Sequence, residues 1–402
     1  MSKKNERTIA GIIRLIFVGL VILAQVFLVA LVARHLKHNT IYLYFFLEVL
    51  SLSAIVWLLD RNGNSSYTLV WLVVILLLPV FGFLLYLLWS WAAPRTRKSR
   101  WTQQALRRGA QFLKHDPAVY TELEKAHPWR KRMAGFLIRE GFPIYKNTRC
   151  QYFPLGELQF TQMLRDLEKA ERFIFMEYYI LAQGQLWDRI HEVLRRKARE
   201  GVEVRILFDD LGSIITAPNN LIEQLRSEQI QALAFNPVHR YVSRLYINYR
   251  NHQKIVVIDG NIGYTGGTNL ADEYANLYPK YGHWKDTAIR LEGEAVWSLT
   301  VTFLQMWEVE SHAAEDYSIY RPTTNVTGDG FYQPFSDSPV NNPNNPAETM
   351  YRQLIANAKE YVYITTPYLI IDDSMAETLC TAAKSGVDVR IITPKITDHW
   401  YV

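Results

Sequence analysis

The sequence predicts an α/β protein held to a membrane, with N-terminal transmembrane helices followed by α/β domains of which the second is incomplete. Three observations carry this. Apolar residues make up 49% of the 402 positions but crowd into three runs within the first 90. Beyond residue 150, short apolar strands alternate with amphipathic helical stretches. One strand–helix–strand passage then recurs, at offsets of 188 and 185 residues.

The apolar runs lie at about residues 10 to 33, 41 to 59 and 68 to 90. Each approaches the roughly 20 residues a helix needs to cross the hydrocarbon core. The third, "LVWLVVILLLPVFGFLLYLLW", carries no charge, whereas the second holds Glu48 and the first Arg14. No small-residue cleavage site follows the first run and further apolar runs succeed it, which argues against a cleaved leader. Residues 1–92 are therefore predicted to be a membrane anchor of two or three helices. Basic residues favour the cytoplasmic side, and the larger cluster, Arg95 to Arg108, follows the last run, so the remaining chain is predicted to be cytoplasmic.

Residues 93–150 are basic, with Lys125, Arg130, Lys131 and Arg132 forming a second cluster, and read as a juxtamembrane linker able to attract anionic lipid. A first α/β domain is expected over 151–319. "RFIFMEYYIL" reads as a buried strand, "LWDRIHEVLRRKARE" as a helix stopped at Gly201 and "VEVRILF" as the next, parallel strand. "KIVVID" and "IGYTGG", joined at Asp259 and Gly260, predict a hairpin, and "AVWSLTVTFLQMWEV" a helix. Residues 320–346 are rich in Pro, Asn, Gly and Ser, marking a connection to a second domain over 347–402. There "NAKEYVYITTPY" repeats "KAERFIFMEYYI" and "KSGVDVRIIT" repeats "REGVEVRILF", with Gly386 in the place of Gly201.

The chemistry concentrates in "NHQKIVVIDGNIGYTGGTN". With a strand beginning before His252, His252 and Lys254 project from one face, Ile255 and Val257 enter the core, and Asp259 closes the strand. An imidazole beside a fixed ammonium suits attack on a phosphodiester: the ring is a nucleophile or proton carrier, and the lysine holds a phosphate oxygen as charge builds. Gly266 and Gly267 let backbone approach a phosphate, and Asn269 offers a neutral hydrogen bond. No metal or cofactor is called for. Two cysteines, Cys150 and Cys380, exclude a disulfide framework and a cysteine-built metal site. Asp209 and Asp210, at a strand end, read as turn residues before they read as a catalytic pair, and no nucleotide-type phosphate loop is present.

"HQKIVVID" followed by "GYTGGTN" resembles the His-x-Lys-x4-Asp motif of the phospholipase D superfamily. "FMEYYIL", "LFDDLGS", "HWKDTAIRLEG", "SDSP" and "ITTPYLI" narrow the resemblance to bacterial cardiolipin synthases. It implies phospholipase D-like α/β domains, with His252, Lys254 and Asp259 in the first catalytic motif and Gly266, Gly267 and Asn269 binding substrate behind it. It also implies two motifs meeting across a pseudo-twofold axis. One histidine attacks phosphatidylglycerol to give a phosphatidyl-histidine, the other protonates the departing glycerol, and a second phosphatidylglycerol then yields cardiolipin. The implied setting is a bacterial cell membrane, multi-pass, with phospholipid and not nucleic acid as partner. By the repeat offset, a second histidine falls near residue 437 (252 + 185), past Val402. The expectation is a truncated chain, inactive or impaired alone, or else self-association that faces two copies of His252. The alternatives are a membrane-anchored phospholipase D-type phosphodiesterase that uses water as acceptor, and a non-catalytic lipid-binding membrane protein.

Overall fold

The computed structural model describes residues 38–59, 65–78, 81–83, 85–86, 97–238, 249–337 and 344–396. The chain divides into two units, Met1–Ser99 with Val238–Tyr249, and Arg100–Pro237 with Arg250–Val402. In the first, α1 (His38–Leu59) and α2 (Ser65–Leu77) pack around Leu58, Ile75 and Tyr86. Among the described residues no helix is long and apolar enough to cross a membrane. The first predicted span lies outside those residues, as do many side chains of α1 and the end of the third span.

Three helices precede the sheet, α3 (Arg97–Ala110), most of which lies in the second unit, α4 (Pro117–Ala126) and α5 (Lys131–Arg139). Their basic residues suggest a solvated linker, but Thr102, Ala105 and Gly109 recur at helical spacing and are buried. The sheet that follows has seven strands: β1 (Thr148–Phe153), β2 (Phe173–Tyr178), β3 (Glu203–Asp209), β4 (Gln231–Phe235), β5 (Ile255–Ile258), β6 (Ile262–Gly266) and β7 (Ala288–Gly293). Their order is β1-β7-β6-β5-β2-β3-β4, with β2, β3 and β4 parallel and the other neighbours antiparallel.

Alternation along β2 builds both layers. Ile174, Met176 and Tyr178 join a core under α6 (Gly156–Leu167) and α7 (Gln185–Arg199). Phe173 and Phe175 point the other way, where Phe175 stacks on Phe303 of α9 (Val296–Ser311) at 4.6 Å. A short helix, α8 (Leu221–Ser227), precedes β4. Burial on both faces explains why β2 is apolar at every position but Glu177.

After α9 the chain folds back along the sheet: Tyr332 bridges Tyr145 ahead of β1, and Thr323 donates its N–H to Asn261 Oδ1 at 2.7 Å. Residues 338–343 lie outside the described set. Then α10 (Pro346–Ala356), β8 (Tyr361–Thr365), α11 (Asp373–Lys384) and β9 (Asp388–Ile392) follow, with β8 and β9 parallel. This strand–helix–strand unit repeats β2–α7–β3. Gly201 and Gly386, which end the corresponding helices, share a φ of 92°, a left-handed conformation that only glycine adopts at no steric cost.

Charge inside the fold is tightly paired. On α9, Glu308 is buried and accepts from Arg108 Nε at 2.6 Å and from the Tyr317 hydroxyl at 2.7 Å, which ties α3 to the sheet. Arg108→Met leaves that carboxylate half-satisfied, at a cost of about 3 kcal/mol. The variant should melt several degrees below the parent in a thermal scan of the full chain, and an unchanged melting temperature would show that α3 does not depend on this pair.

Candidate active site

The site is set by β5. Its register with β2 pairs Glu177 with Ile255 and Ile174 with Ile258, so residues before Ile255 emerge at the C-terminal ends of β2 and β3. That end of an open α/β sheet is where ligands commonly bind. The four β5 residues are all buried. His252 and Lys254 precede the strand and do not alternate within it, contrary to the sequence reading. The cause is a turn at Asn251: its backbone N–H donates to Asp209 Oδ2 at 2.9 Å, and its Oδ1 accepts the Gln253 N–H at 3.1 Å across His252. Asp209 is in turn fixed by the N–H groups of Leu211 and Gly212 and by Arg250 at 3.3 Å. This is the turn role anticipated for it.

His252 lies 4.8 Å from the Tyr179 ring, centroid to centroid, and retains an exposed face. Burial of the ring, and secondarily the Lys254 charge, push its pKa down to about 4, so the imidazole is neutral at pH 7. Lys254 is only 6% exposed; its Nζ donates to the His252 carbonyl at 2.6 Å and sits 5.5 Å from the Tyr179 centroid. Burial lowers its pKa to about 8, against the opposing pull of the Asp286 and Asp209 carboxylates. The outcome is an uncharged imidazole beside an ammonium at pH 7.

His252, Lys254 and Gly266 line one cavity of about 470 Å³ whose wall is largely apolar, with Ile289, Leu291 and Phe335 among its residues. The structure does not bring the other predicted residues there. Asp259 sits at the opposite end of β5, roughly 20 Å away at strand rise. Its carboxylate accepts three backbone N–H groups, from Glu171 at 2.9 Å, Arg172 at 2.7 Å and Phe173 at 2.9 Å. Asp259 thus clamps β5 to the start of β2 and does not face His252. Asn269 is buried, its Oδ1 taken by the Ile180 N–H at 3.1 Å. Gly267 makes room for a side chain: a Cβ there would collide with Asp286 Oδ1. Tyr179, Glu177, Asn251 and Asp286 were not singled out from sequence. The signal available was an acid, Glu177, inside an otherwise apolar buried strand.

Comparison with known proteins identifies the family. Residues 163–307 and 351–402 match the family described as "Cardiolipin synthase, PLD-like domain", and residues 49–91 match "Phospholipase_D-nuclease N-terminal". The chain is 33% identical over 372 residues to the major cardiolipin synthase ClsA of Bacillus subtilis, covering 90% of this chain and 76% of that protein. It belongs to the bacterial cardiolipin synthase family of the phospholipase D superfamily. A cardiolipin synthase of Oceanobacillus iheyensis is 31% identical over 377 residues, covering 90% of this chain and 75% of that one. An uncharacterized protein of Streptococcus mutans is 39% identical over 356 residues, covering 86% and 75%. The mixed α/β fold predicted from sequence is the fold of this family.

Because the Lys254 charge contributes to the low pKa of His252, removing it should move that pKa upward. In Lys254→Met, the midpoint of His252 modification by diethylpyrocarbonate, followed by peptide mass spectrometry across pH, is expected above the parent's value near 4. An unmoved midpoint would mean that the ammonium and imidazole do not interact.

Proposed function

We propose that the chain carries a phosphatidyltransferase site that makes cardiolipin from two phosphatidylglycerol molecules. The observation that carries the proposal is the placement of the His252 imidazole and the buried Lys254 ammonium on one largely apolar cavity, in a chain whose named relatives include cardiolipin synthases.

In the first step, a His252 ring nitrogen forms a bond to phosphorus while the bond from phosphorus to the glycerol oxygen breaks, and Lys254 neutralises charge on a non-bridging oxygen. The departing oxygen needs a proton, which we assign to the histidine of a second copy of the motif. The 402 residues hold the complete His-x-Lys-x4-Asp pattern once, and the duplicated strand–helix–strand unit supports a twofold architecture. In the second step, the hydroxyl oxygen of another phosphatidylglycerol attacks phosphorus, the nitrogen–phosphorus bond breaks, and the hydroxyl proton goes to the base formed in step one. Asp259 acts as a positioning residue at the far end of β5, Gly266 lets backbone approach the phosphate from the cavity wall, and Gly267 and Asn269 act from behind it, the first by leaving room for Asp286 and the second by holding the Ile180 N–H.

The protein is proposed to be multi-pass in a bacterial membrane, with this site on the cytoplasmic side. The three apolar runs, the N-terminal family match over 49–91 and the basic cluster that follows support this. The competing reading is the same covalent step with water as acceptor, which gives phosphatidic acid in place of cardiolipin.

The first step can be isolated with the p-nitrophenyl ester of phosphatidic acid, whose leaving group departs without a proton. The full chain in detergent should release a stoichiometric burst of nitrophenolate that is lost in His252→Ala; a burst that survives the substitution would refute the assignment. The burst rate should rise with pH through about 4, as His252 loses its proton, and fall above about 8, as Lys254 loses its charge. With phosphatidylglycerol as acceptor, cardiolipin is the expected lipid product, and phosphatidic acid alone would favour the hydrolase.

A further inference from the structure

Glu177 is fully buried on β2, set between Leu207 of β3 and Ile255 of β5. Its Oε1 accepts from the Asn251 side-chain amide, while Oε2 is buried with no partner among the described residues. A carboxyl placed this way is costly, and an apolar side chain would fill the space at less expense. Its contact with Asn251 suggests what it does there. The Gln253 N–H fixes the orientation of the Asn251 amide, with the oxygen toward Gln253 and the NH2 group toward Glu177. The amide therefore bridges the sheet interior and the turn that carries His252.

We infer that Glu177 is a positioning residue for His252, acting through Asn251 to hold the turn on which the imidazole is presented. The inference rests on His252 being the nucleophile of the proposed reaction. What the turn needs at position 177 is an acceptor oxygen, not a charge. Burial raises the Glu177 pKa to about 8, so the acid is largely neutral at pH 7 and glutamine is its close mimic. The other groups that fix this turn are Asp209 and Arg250, and both act on the backbone or side chains of residues 250 and 251 without touching Glu177 in any described hydrogen bond.

The test compares Glu177→Gln, which keeps an acceptor oxygen, with Glu177→Met, which keeps the length and removes it, in the full chain. Two readouts are taken: the nitrophenolate burst from the phosphatidyl ester, and the rate at which diethylpyrocarbonate modifies His252 at pH 7. Glu177→Gln should stay within about threefold of the parent in both, whereas Glu177→Met should slow the burst about tenfold or more through displacement of the nucleophile. In Glu177→Met, half-saturation by lipid should stay within about twofold, since binding is not the defect. The His252 modification rate should also change in Glu177→Met, with the melting temperature held. Asn251→Ala should reproduce that pattern, and it replaces Glu177→Met if the latter does not fold. The inference is overturned if Glu177→Met or Asn251→Ala matches the parent in both readouts, or if Glu177→Gln is as impaired as Glu177→Met. Should the parent's burst prove independent of His252, the proposed reaction fails, yet the modification rates still decide whether Glu177 positions the ring.

Discussion

The antiparallel pairing of β5 with β2 is the constraint from which the site follows. One register places Ile255 opposite Glu177 and Ile258 opposite Ile174, and so sends the two ends of the motif to opposite ends of the sheet. At one end, the chain before β5 meets Asp209 and Glu177 at the finish of β3 and β2, and the Asn251 turn forms against them. At the other, the Asp259 carboxylate gathers the backbone N–H groups of residues 171 to 173. A slip of one residue would exchange the faces of β5 and break both attachments at once. The three motif residues thus depend on one another through the strand although only two of them meet.

Desolvation does the rest. Removing Lys254 and part of His252 from water disfavours the charged form of each, and the two cations repel. The weaker base gives way fully and the stronger only in part, which leaves a neutral ring beside an ammonium over the physiological range. Asp286 and Asp209 keep Lys254 from losing its proton altogether, and Gly267 is the residue whose missing side chain leaves space for Asp286. The cavity beside them presents mostly apolar surface, with Ile289, Leu291 and Phe335 in its wall.

Much of this was legible in the sequence because it is local. Strand runs, the Asp259–Gly260 hairpin and the glycines at 201 and 386 follow from periodicity and backbone preference, and the strand–helix–strand repeat is visible as a pattern of composition. What was not legible depends on tertiary partners. His252 and Lys254 leave the strand only because Asn251 finds Asp209 and Glu177, residues more than forty positions away. Residues 93–150 read as linker by charge, yet within them the buried stripe of Thr102, Ala105 and Gly109 gives α3 a place against α9, where Arg108 meets Glu308. Asp259 was placed correctly at a strand end, but that its carboxylate faces backbone and not His252 required the register.

The claim on which the account turns is that His252 itself becomes bonded to phosphorus. The direct measurement is peptide mass spectrometry of the full chain after incubation with the p-nitrophenyl ester of phosphatidic acid and an alkaline quench that preserves phosphoramidates. A phosphatidyl mass increment is expected on the peptide containing His252, located on that residue by fragmentation and missing from His252→Ala. Nitrophenolate release with the increment on another residue, or on none, would contradict it.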